Sequence, residues 1–240
     1  MKTVFHPADS RGMSRYGWLT SYHTFSFGEY YDPSRTHFGV LRVLNDDTVA
    51  GGKGFDTHPH SNMEIITLPL EGAVEHRDSI GNSGIIRAGD IQVMSAGTGV
   101  YHSEYNPSPN QSGQFLQIWL FPREKQVKPR YQQMALPESK NGRFAQILSP
   151  SEEDEGVWIH QDAWFHLGTF PKGSEAEYRM RNPENGVYVF LINGMIETAG
   201  IRMQARDGLG VEKLAALSFR MEVGHRLVEE FRPVEAPPAG

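Results

Sequence analysis

Two short segments constrain this chain more than any other feature: residues 57–60 (Thr-His-Pro-His) and residues 101–104 (Tyr-His-Ser-Glu). Each places two side chains that can bind metal at positions i and i+2, a spacing that puts both on one face of a β-strand. Two such strands side by side would bring three imidazoles and one carboxylate to a common point. Nitrogen and oxygen donors without a thiolate suit a divalent iron, copper, nickel, manganese or zinc ion. The expected metal ligands are therefore His58, His60, His102 and Glu104.

Turn-forming residues are spread through the whole chain, which has 25 glycines and 15 prolines in 240 residues. Between them lie short apolar and aromatic runs, such as residues 40–44, 63–68, 114–121 and 187–192. This spacing predicts many short strands and few long helices. The length is enough for one large β domain or two smaller ones.

Charge and composition narrow the class of function. The formal net charge is −6, so no basic field indicates nucleic acid or an anionic membrane as a partner. The absence of cysteine excludes disulfides and thiolate zinc sites. The polar N-terminus does not resemble a signal peptide, and no apolar run approaches the ~20 residues that span a bilayer. We expect a cytoplasmic protein.

Other histidines and glycines have simpler interpretations. His23 lies among aromatic residues and is predicted to be a packed histidine with a satisfied hydrogen bond. His76 is predicted to face solvent, because it lacks an i+2 partner, and His225 is given no metal role. Residues 97–99 (Gly-Thr-Gly) are predicted to form a turn before the second histidine segment, not a phosphate loop.

The two halves of the chain resemble each other weakly. Glu71-Gly72 ends a predicted strand in the first half, and Asn193-Gly194 ends one in the second. His58 and His60 lie 14 and 12 residues before Gly72, and the same steps back from Gly194 lead to Met180 and Asn182. We therefore predict a domain over residues 1–128 that carries the metal site, a linker over residues 129–142, and a second domain over residues 143–240 without metal ligands.

These motifs resemble a known family. Gly52, His58, His60 and Glu64 match the first motif of cupins, and Gly89, Asp90, Gly97, His102 and Asn106 match the second. The segments His-Pro-His, Ser-Ala-Gly-Thr-Gly and His-Ser-Glu are similar, more narrowly, to those of pirins. The opening residues 17–33 resemble the bacterial branch of that family.

The resemblance implies an all-β bicupin: two face-to-face, antiparallel, jelly-roll-like β-barrels with short connecting helices, and a metal in the first barrel only. It implies one divalent metal ion, with Fe²⁺ the first choice and Cu²⁺, Ni²⁺, Mn²⁺ or Zn²⁺ as alternatives. Its ligands match His58, His60, His102 and Glu104. Glu64, a ligand in many other cupins, becomes a candidate for orienting a ligand histidine from outside.

Bacterial pirins that resemble this chain are described as quercetin 2,3-dioxygenases. The first hypothesis is therefore that a flavonol such as quercetin binds through its 3-hydroxyl and that dioxygen opens its central ring, with Glu104 able to move the hydroxyl proton. The alternative is a redox-sensing or partner-binding pirin, since nuclear pirins are described as transcriptional co-regulators. A metal-dependent isomerase or hydrolase on the same fold also stays open. A deep pocket over the metal would favour an enzyme. With its two barrels paired internally, the chain is expected to be a monomer.

Overall fold

A computed structural model describes residues 1–137 and 142–231, with side chains as far as residue 222. The side chain of His225 therefore lies outside the described part. Over these residues the regular secondary structure is nearly all strand, which confirms the predicted all-β class. A three-residue 3-10 helix, Ala8–Ser10, is the only helix in the described ranges. One of the expected short connecting helices is thus present, and tight turns with glycine at positive φ make most of the other connections.

The strands follow one another along the chain with short connections. They are β1 (Lys2–His6), β2 (Gly12–Arg15), β3 (Leu19–His23), β4 (Leu41–Val49), β5 (Gly54–His60), β6 (Glu64–Glu71), β7 (Ala73–Asp78), β8 (Ser83–Arg87), β9 (Asp90–Ser95), β10 (Val100–Tyr105), β11 (Gly113–Leu120), β12 (Arg130–Ala135), β13 (Arg143–Ser149), β14 (Val157–Trp158), β15 (Ala163–Phe170), β16 (Glu175–Arg179), β17 (Gly186–Phe190), β18 (Met195–Thr198), β19 (Ile201–Gln204), β20 (Gly208–Glu212) and β21 (Ala216–Phe231).

Three sheets contain these strands. The first half forms a seven-stranded sheet in the order β12-β9-β6-β11-β4-β3-β2 and a four-stranded sheet in the order β5-β10-β7-β8. The second half forms a ten-stranded sheet whose main path is β1-β20-β17-β21-β15-β13-β14. Neighbouring strands are antiparallel, apart from the parallel pair β13 and β14.

Two apolar clusters hold the layers together. Leu19, Val49 and Phe115 of the seven-stranded sheet pack on Val74 and Ile86 of the four-stranded sheet. We call these two packed sheets the first unit. The other face of the seven-stranded sheet shares one buried cluster with strands of the second half. The central strands of the seven-stranded sheet are therefore buried on both faces, which explains why their sequences are continuous apolar runs. This arrangement agrees with the predicted bicupin.

β6 shows how one strand contributes side chains to two different apolar clusters, one on each face of the sheet. Ile66 and Leu68 belong to the cluster shared with the second half, whereas Ile65 belongs to a cluster inside the first unit. Successive side chains of a strand point to opposite faces. Even-numbered positions of β6 therefore face the second half, and odd-numbered positions such as Thr67 face the interior of the first unit.

Two strands cross the domain boundaries that we predicted from sequence. β1 pairs with β20, so the first residues of the chain extend the sheet of the second half. β12, inside the predicted linker 129–142, pairs with β9 at the edge of the seven-stranded sheet. Across the described ranges there is no helix with the length and apolar character that crossing a bilayer requires.

Candidate metal centre

β5 and β10 bring three histidines together. The two strands pair antiparallel, with His58 opposite His102 and His60 opposite Val100. The ring centroids of His58, His60 and His102 lie 4.5 to 4.9 Å apart, and one nitrogen from each ring lies within 4.8 Å of the others. Pro59 lies between the first two, and it is tolerated because β5 is an edge strand whose one sheet neighbour among the described residues is β10. The i, i+2 spacing thus places the imidazoles on one face, as predicted.

The ring nitrogens are arranged as metal binding requires. His58 Nδ1 donates to the Asp56 carbonyl oxygen at 2.7 Å, which leaves Nε2 with its lone pair. His60 Nε2 and His102 Nε2 are buried and have no hydrogen-bond partner within the described residues. Buried polar atoms without partners are rare in folded proteins and call for a specific cause. A cation held by the three Nε2 atoms supplies that cause, so the residues fit a metal ion.

Burial also sets the protonation of these rings. It lowers the pKa of His60 to about 4, with a further contribution from His58. Burial likewise lowers the pKa of His102 to about 2, again helped by the neighbouring histidines. Both imidazoles are neutral at pH 7, which is the form that binds metal.

His76 and Asp78 lie behind His102. His76 Nε2 is 3.1 Å from Asp78 Oδ2, and His76 Nδ1 is 3.4 Å from His102 Nδ1. Burial acts to raise the pKa of Asp78, but hydrogen bonds from Asn82 and His76 hold it below its usual value. Asp78 is therefore an acceptor, so His76 Nε2 carries a proton and His76 Nδ1 accepts. His102 must then donate from Nδ1, and its Nε2 keeps the lone pair.

The prediction that His76 faces solvent was wrong. Its side chain is fully buried, and its ring stacks on Tyr131 at 4.7 Å between centroids. The sequence did contain a signal: Asp78 is its partner at i+2, the same spacing that identifies the other pairs. His76 also forms a second close group of ligand-type atoms with His102 and Glu104.

Glu104 lies on β10 two residues after His102 and is almost fully buried. The Thr67 hydroxyl donates to its Oε1 at 2.9 Å, and Gln117 Nε2 donates to its Oε2 at 2.6 Å. Burial raises the pKa of Glu104, although His76 and these hydrogen bonds oppose the shift. The side chain is thus fixed beside the imidazole cluster, with a carboxylate that is poorly solvated.

Glu64 lies on β6 of the seven-stranded sheet, on the face that is turned toward the second half and away from the histidine cluster. The Ser95 hydroxyl donates to its Oε2 at 2.6 Å, and the His160 backbone of the second half also hydrogen-bonds to it. Burial raises its pKa to about 7. None of these contacts reaches a histidine of the cluster, so the structure gives Glu64 a place at the junction between the two halves.

A cavity of about 250 Å³ opens beside the cluster and is lined by both His58 and Glu104. Its apolar wall contains Phe27, Phe55 and Trp119. The lining also has a polar part, here called the polar wall, which includes Ser14, Ser21, His23, Asn45 and Asp47. This volume lies just below the ~300–1,000 Å³ of typical small-molecule sites, so it suits one small aromatic group.

His23 is packed as the sequence predicted, although it also lines this cavity. Its ring is buried, with Nε2 2.8 Å from the Ser14 hydroxyl and Nδ1 2.9 Å from Asn45 Oδ1. Phe27 packs against the ring at 5.2 Å between centroids. These contacts give His23 a structural role in the polar wall.

The donor set can bind a borderline divalent ion. Three imidazoles and a nearby carboxylate are the ligands that iron, nickel, copper and zinc accept. The cavity beside them leaves room for a small molecule, as in metal sites that perform catalysis. Fold and site together define a two-domain cupin with one metal-type centre in its first domain.

Comparison with known proteins shows the family. Residues 5–120 match the Pirin family model, and residues 146–227 match the model of the quercetinase C-terminal cupin domain. The quercetin 2,3-dioxygenase of Escherichia coli K12 is 40% identical over 215 residues, which cover 90% of this chain and 92% of that protein. A pirin-like protein of Caulobacter vibrioides is 39% identical over 215 residues, covering 89% and 92%. This chain belongs to the pirin family, which confirms the resemblance seen in its sequence.

Solved structures agree. The crystal structure of YhhW from Escherichia coli has a TM-score of 0.93 at 38% identity and covers 98% of this chain and all of its own. The nickel(II) complex of the same bacterial pirin has a TM-score of 0.92 at 38% identity, covering 97% and 100%.

Proposed function

We propose that this protein is a metal-dependent dioxygenase that opens the central ring of a flavonol such as quercetin. His58, His60, His102 and Glu104 would hold one divalent ion, with Fe²⁺ as the first choice. The observation that carries the proposal is the aromatic-walled cavity bordered by His58 and Glu104. The relative named quercetin 2,3-dioxygenase supports the same reaction.

The proposed reaction balances without a further reductant. Both atoms of dioxygen enter the flavonol, two bonds of its central ring break, and one ring carbon leaves as carbon monoxide. The flavonol supplies the electrons that reduce dioxygen. A divalent ion bound at the cluster would supply Lewis-acid polarisation of the substrate hydroxyl and redox chemistry toward dioxygen.

Glu104 is the group best placed to accept the proton of that hydroxyl. It lines the cavity, and burial raises its pKa, which makes this carboxylate a stronger base than an exposed one. Thr67 and Gln117 each donate to one of its oxygens, so the carboxylate keeps its orientation while it gains or loses a proton.

The aromatic wall would position the substrate and exclude water. Trp119 packs edge-on against His60 with 4.8 Å between centroids, and Phe27 packs edge-on against Trp119 at 5.4 Å. This row of rings offers a surface for an aromatic substrate. It also fixes His60, so substrate contact and ligand orientation depend on the same side chains.

The test is turnover by protein loaded with Fe²⁺ under anaerobic conditions. Quercetin loss, dioxygen uptake and carbon monoxide release are measured together after oxygen is admitted. We expect one dioxygen to be consumed and one carbon monoxide to be released for each quercetin lost. We expect His102→Ala to abolish all three changes. His37→Ala is the matched control, because His37 is exposed and lies outside the cluster.

Two results would overturn the proposal. One is tight metal binding with no quercetin loss, which would favour the partner-binding or redox-sensing alternative. The other is unchanged turnover in His102→Ala, which would place the chemistry elsewhere.

A further inference from the structure

Two adjacent aspartates on β4 have opposite environments. Asp46 faces the second half, where its Oδ2 lies 3.5 Å from Arg11 and 3.4 Å from Arg206. Asp47 faces the other side of the strand and lines the cavity beside Glu104. Asn45, two residues earlier, lines the same wall. Strand alternation therefore sends one carboxylate to two guanidinium groups and the next into the cavity.

Asp47 is buried without the partners that a buried carboxyl group usually has. Its exposed fraction is 3%, and its Oδ1 has no hydrogen-bond partner among the residues that the structure describes. The Ser21 hydroxyl hydrogen-bonds to the Asp47 carboxyl group. Asp47 forms no ion pair with any described residue, and the two nearby guanidinium groups pair with Asp46 instead. Burial, then repulsion from Asp46 and Glu104, raise the pKa of Asp47 to about 7. An orphaned acceptor of this kind, in the wall of a cavity, marks a binding position for a donor.

The charge of the cavity limits what that donor can be. Two carboxyl groups, of Asp47 and Glu104, line it, and no lysine or arginine does so among the described residues. A ligand carboxylate near Asp47 would meet like charge in a poorly solvated place. A neutral hydroxyl group would instead satisfy Oδ1, while its ring lay against the aromatic wall.

We propose that Asp47 accepts a hydrogen bond from a phenolic hydroxyl of the substrate and selects hydroxylated aromatics over aromatic carboxylates. This inference deepens the proposed function and rests on it in taking the cavity as the substrate site. Asp47 is then the specificity residue of the polar wall, and Glu104 the proton acceptor beside the metal cluster. Both protonation states of Asp47 can accept from a hydroxyl.

The test measures binding without turnover. Protein loaded with Zn²⁺, which does not change oxidation state, is titrated at pH 8 with quercetin, with catechol and with 3,4-dihydroxybenzoate. Quenching of tryptophan fluorescence reports occupancy, since Trp119 lines the cavity. Loss of one hydrogen bond in Asp47→Ala should weaken quercetin and catechol by about tenfold. Asp47→Asn, which keeps an acceptor oxygen, should weaken them less.

The carboxylate probe separates recognition from a structural effect. Asp47→Asn removes the like charge, so 3,4-dihydroxybenzoate should bind more tightly relative to catechol than it does to the unaltered protein. Glu29→Gln makes the same change of charge at an exposed position next to Gly28 of the cavity and should leave the ratio unchanged. Melting temperatures of all variants show whether each is folded.

Different outcomes judge the two proposals separately. If catechol binds and depends on Asp47 while quercetin does not bind, hydroxyl recognition stands and the flavonol proposal fails. If Asp47→Asn and Asp47→Ala leave every affinity and the carboxylate ratio unchanged, the role of Asp47 is refuted, whatever the enzyme turns over. If none of the three ligands binds, both proposals fall.

Discussion

The hydrogen-bonded chain from Asp78 through His76 to His102 makes the strongest prediction for metal binding. Asp78 accepts four hydrogen bonds: Oδ1 from the backbone of Ile80 and Asn82, and Oδ2 from the Asn82 amide and His76 Nε2. A carboxylate can accept on both sides, whereas an asparagine cannot. In Asp78→Asn, the amide oxygen would face the two backbone N–H groups. Its NH₂ group would then face His76.

That substitution should reverse the tautomers along the chain. His76 Nε2 would have to accept, so His76 Nδ1 would carry the proton and point it at His102 Nδ1, 3.4 Å away. His102 would then be protonated at Nε2, the nitrogen that the metal needs. Losing a partner that orients a ligand histidine typically costs 10–100-fold in metal affinity, so we expect a loss of about that size.

The assay is competition with a chelator for Zn²⁺ and Ni²⁺, combined with ¹H–¹⁵N spectra of the histidine rings in the metal-free protein. The spectra should show His102 protonated at Nδ1 in the unaltered protein and at Nε2 in Asp78→Asn. Asp90→Asn, the same substitution at the first residue of β9, serves as the control. Unchanged metal affinity together with an unchanged His102 tautomer would refute this reasoning.

Three further predictions concern stability. Because the pKa of Glu64 is raised to about 7 in the folded protein, its contribution is complete below the unfolded value near 4.5 and is lost as pH rises toward 7. In urea unfolding between pH 5 and 8, Glu64→Gln should therefore flatten the decline, by up to about 3 kcal/mol at the alkaline end. Asp46→Ala leaves the buried Arg11 without its carboxylate and should cost about 3–5 kcal/mol in the same measurement; a loss below 1 kcal/mol would contradict this. Gly97→Ala puts a methyl group onto the Val127 carbonyl at a φ of +45°, so thermal unfolding should show a loss of at least about 1–3 kcal/mol, and an unchanged melting temperature would show that this loop relaxes freely.

The sequence predicted the centre of the site because period-2 spacing is a local property. His58 and His60 must share a face of any regular strand, and so must His102 and Glu104. The register between β5 and β10 is not local, yet the matching glycine turns and the family resemblance were enough to expect the pairing. The family resemblance similarly indicated two facing barrels, although the contacts between them join residues far apart in the sequence.

The wrong prediction for His76, and the positions of Glu64 and β1 that the sequence did not reveal, depend on contacts with distant strands. His76 looked isolated in sequence, but burial between His102 and Tyr131 is set by β10 and β12, which follow it by more than 20 residues. Glu64 occupies a position that matches a cupin ligand, but its even-numbered place on β6 turns it toward the second half. β1 could not be assigned to the second sheet from sequence, because its partner β20 lies about 200 residues away.

The interiors of the two halves differ in chemistry. The buried cluster inside the second half is apolar and includes residues such as Val187, Val189 and Leu209. Met180, at the position that corresponds to His58 in our comparison of the halves, packs against this cluster. In the first half, Thr67, Gln117 and Asp47 take inward positions, and each polar side chain there replaces a possible apolar contact. Thr67 and Gln117 hold Glu104, and Asp47 lines the cavity, so these positions serve the site in place of the core. The seven-stranded sheet keeps an apolar face toward the second half, where Ile66, Leu68 and Leu116 join the shared buried cluster.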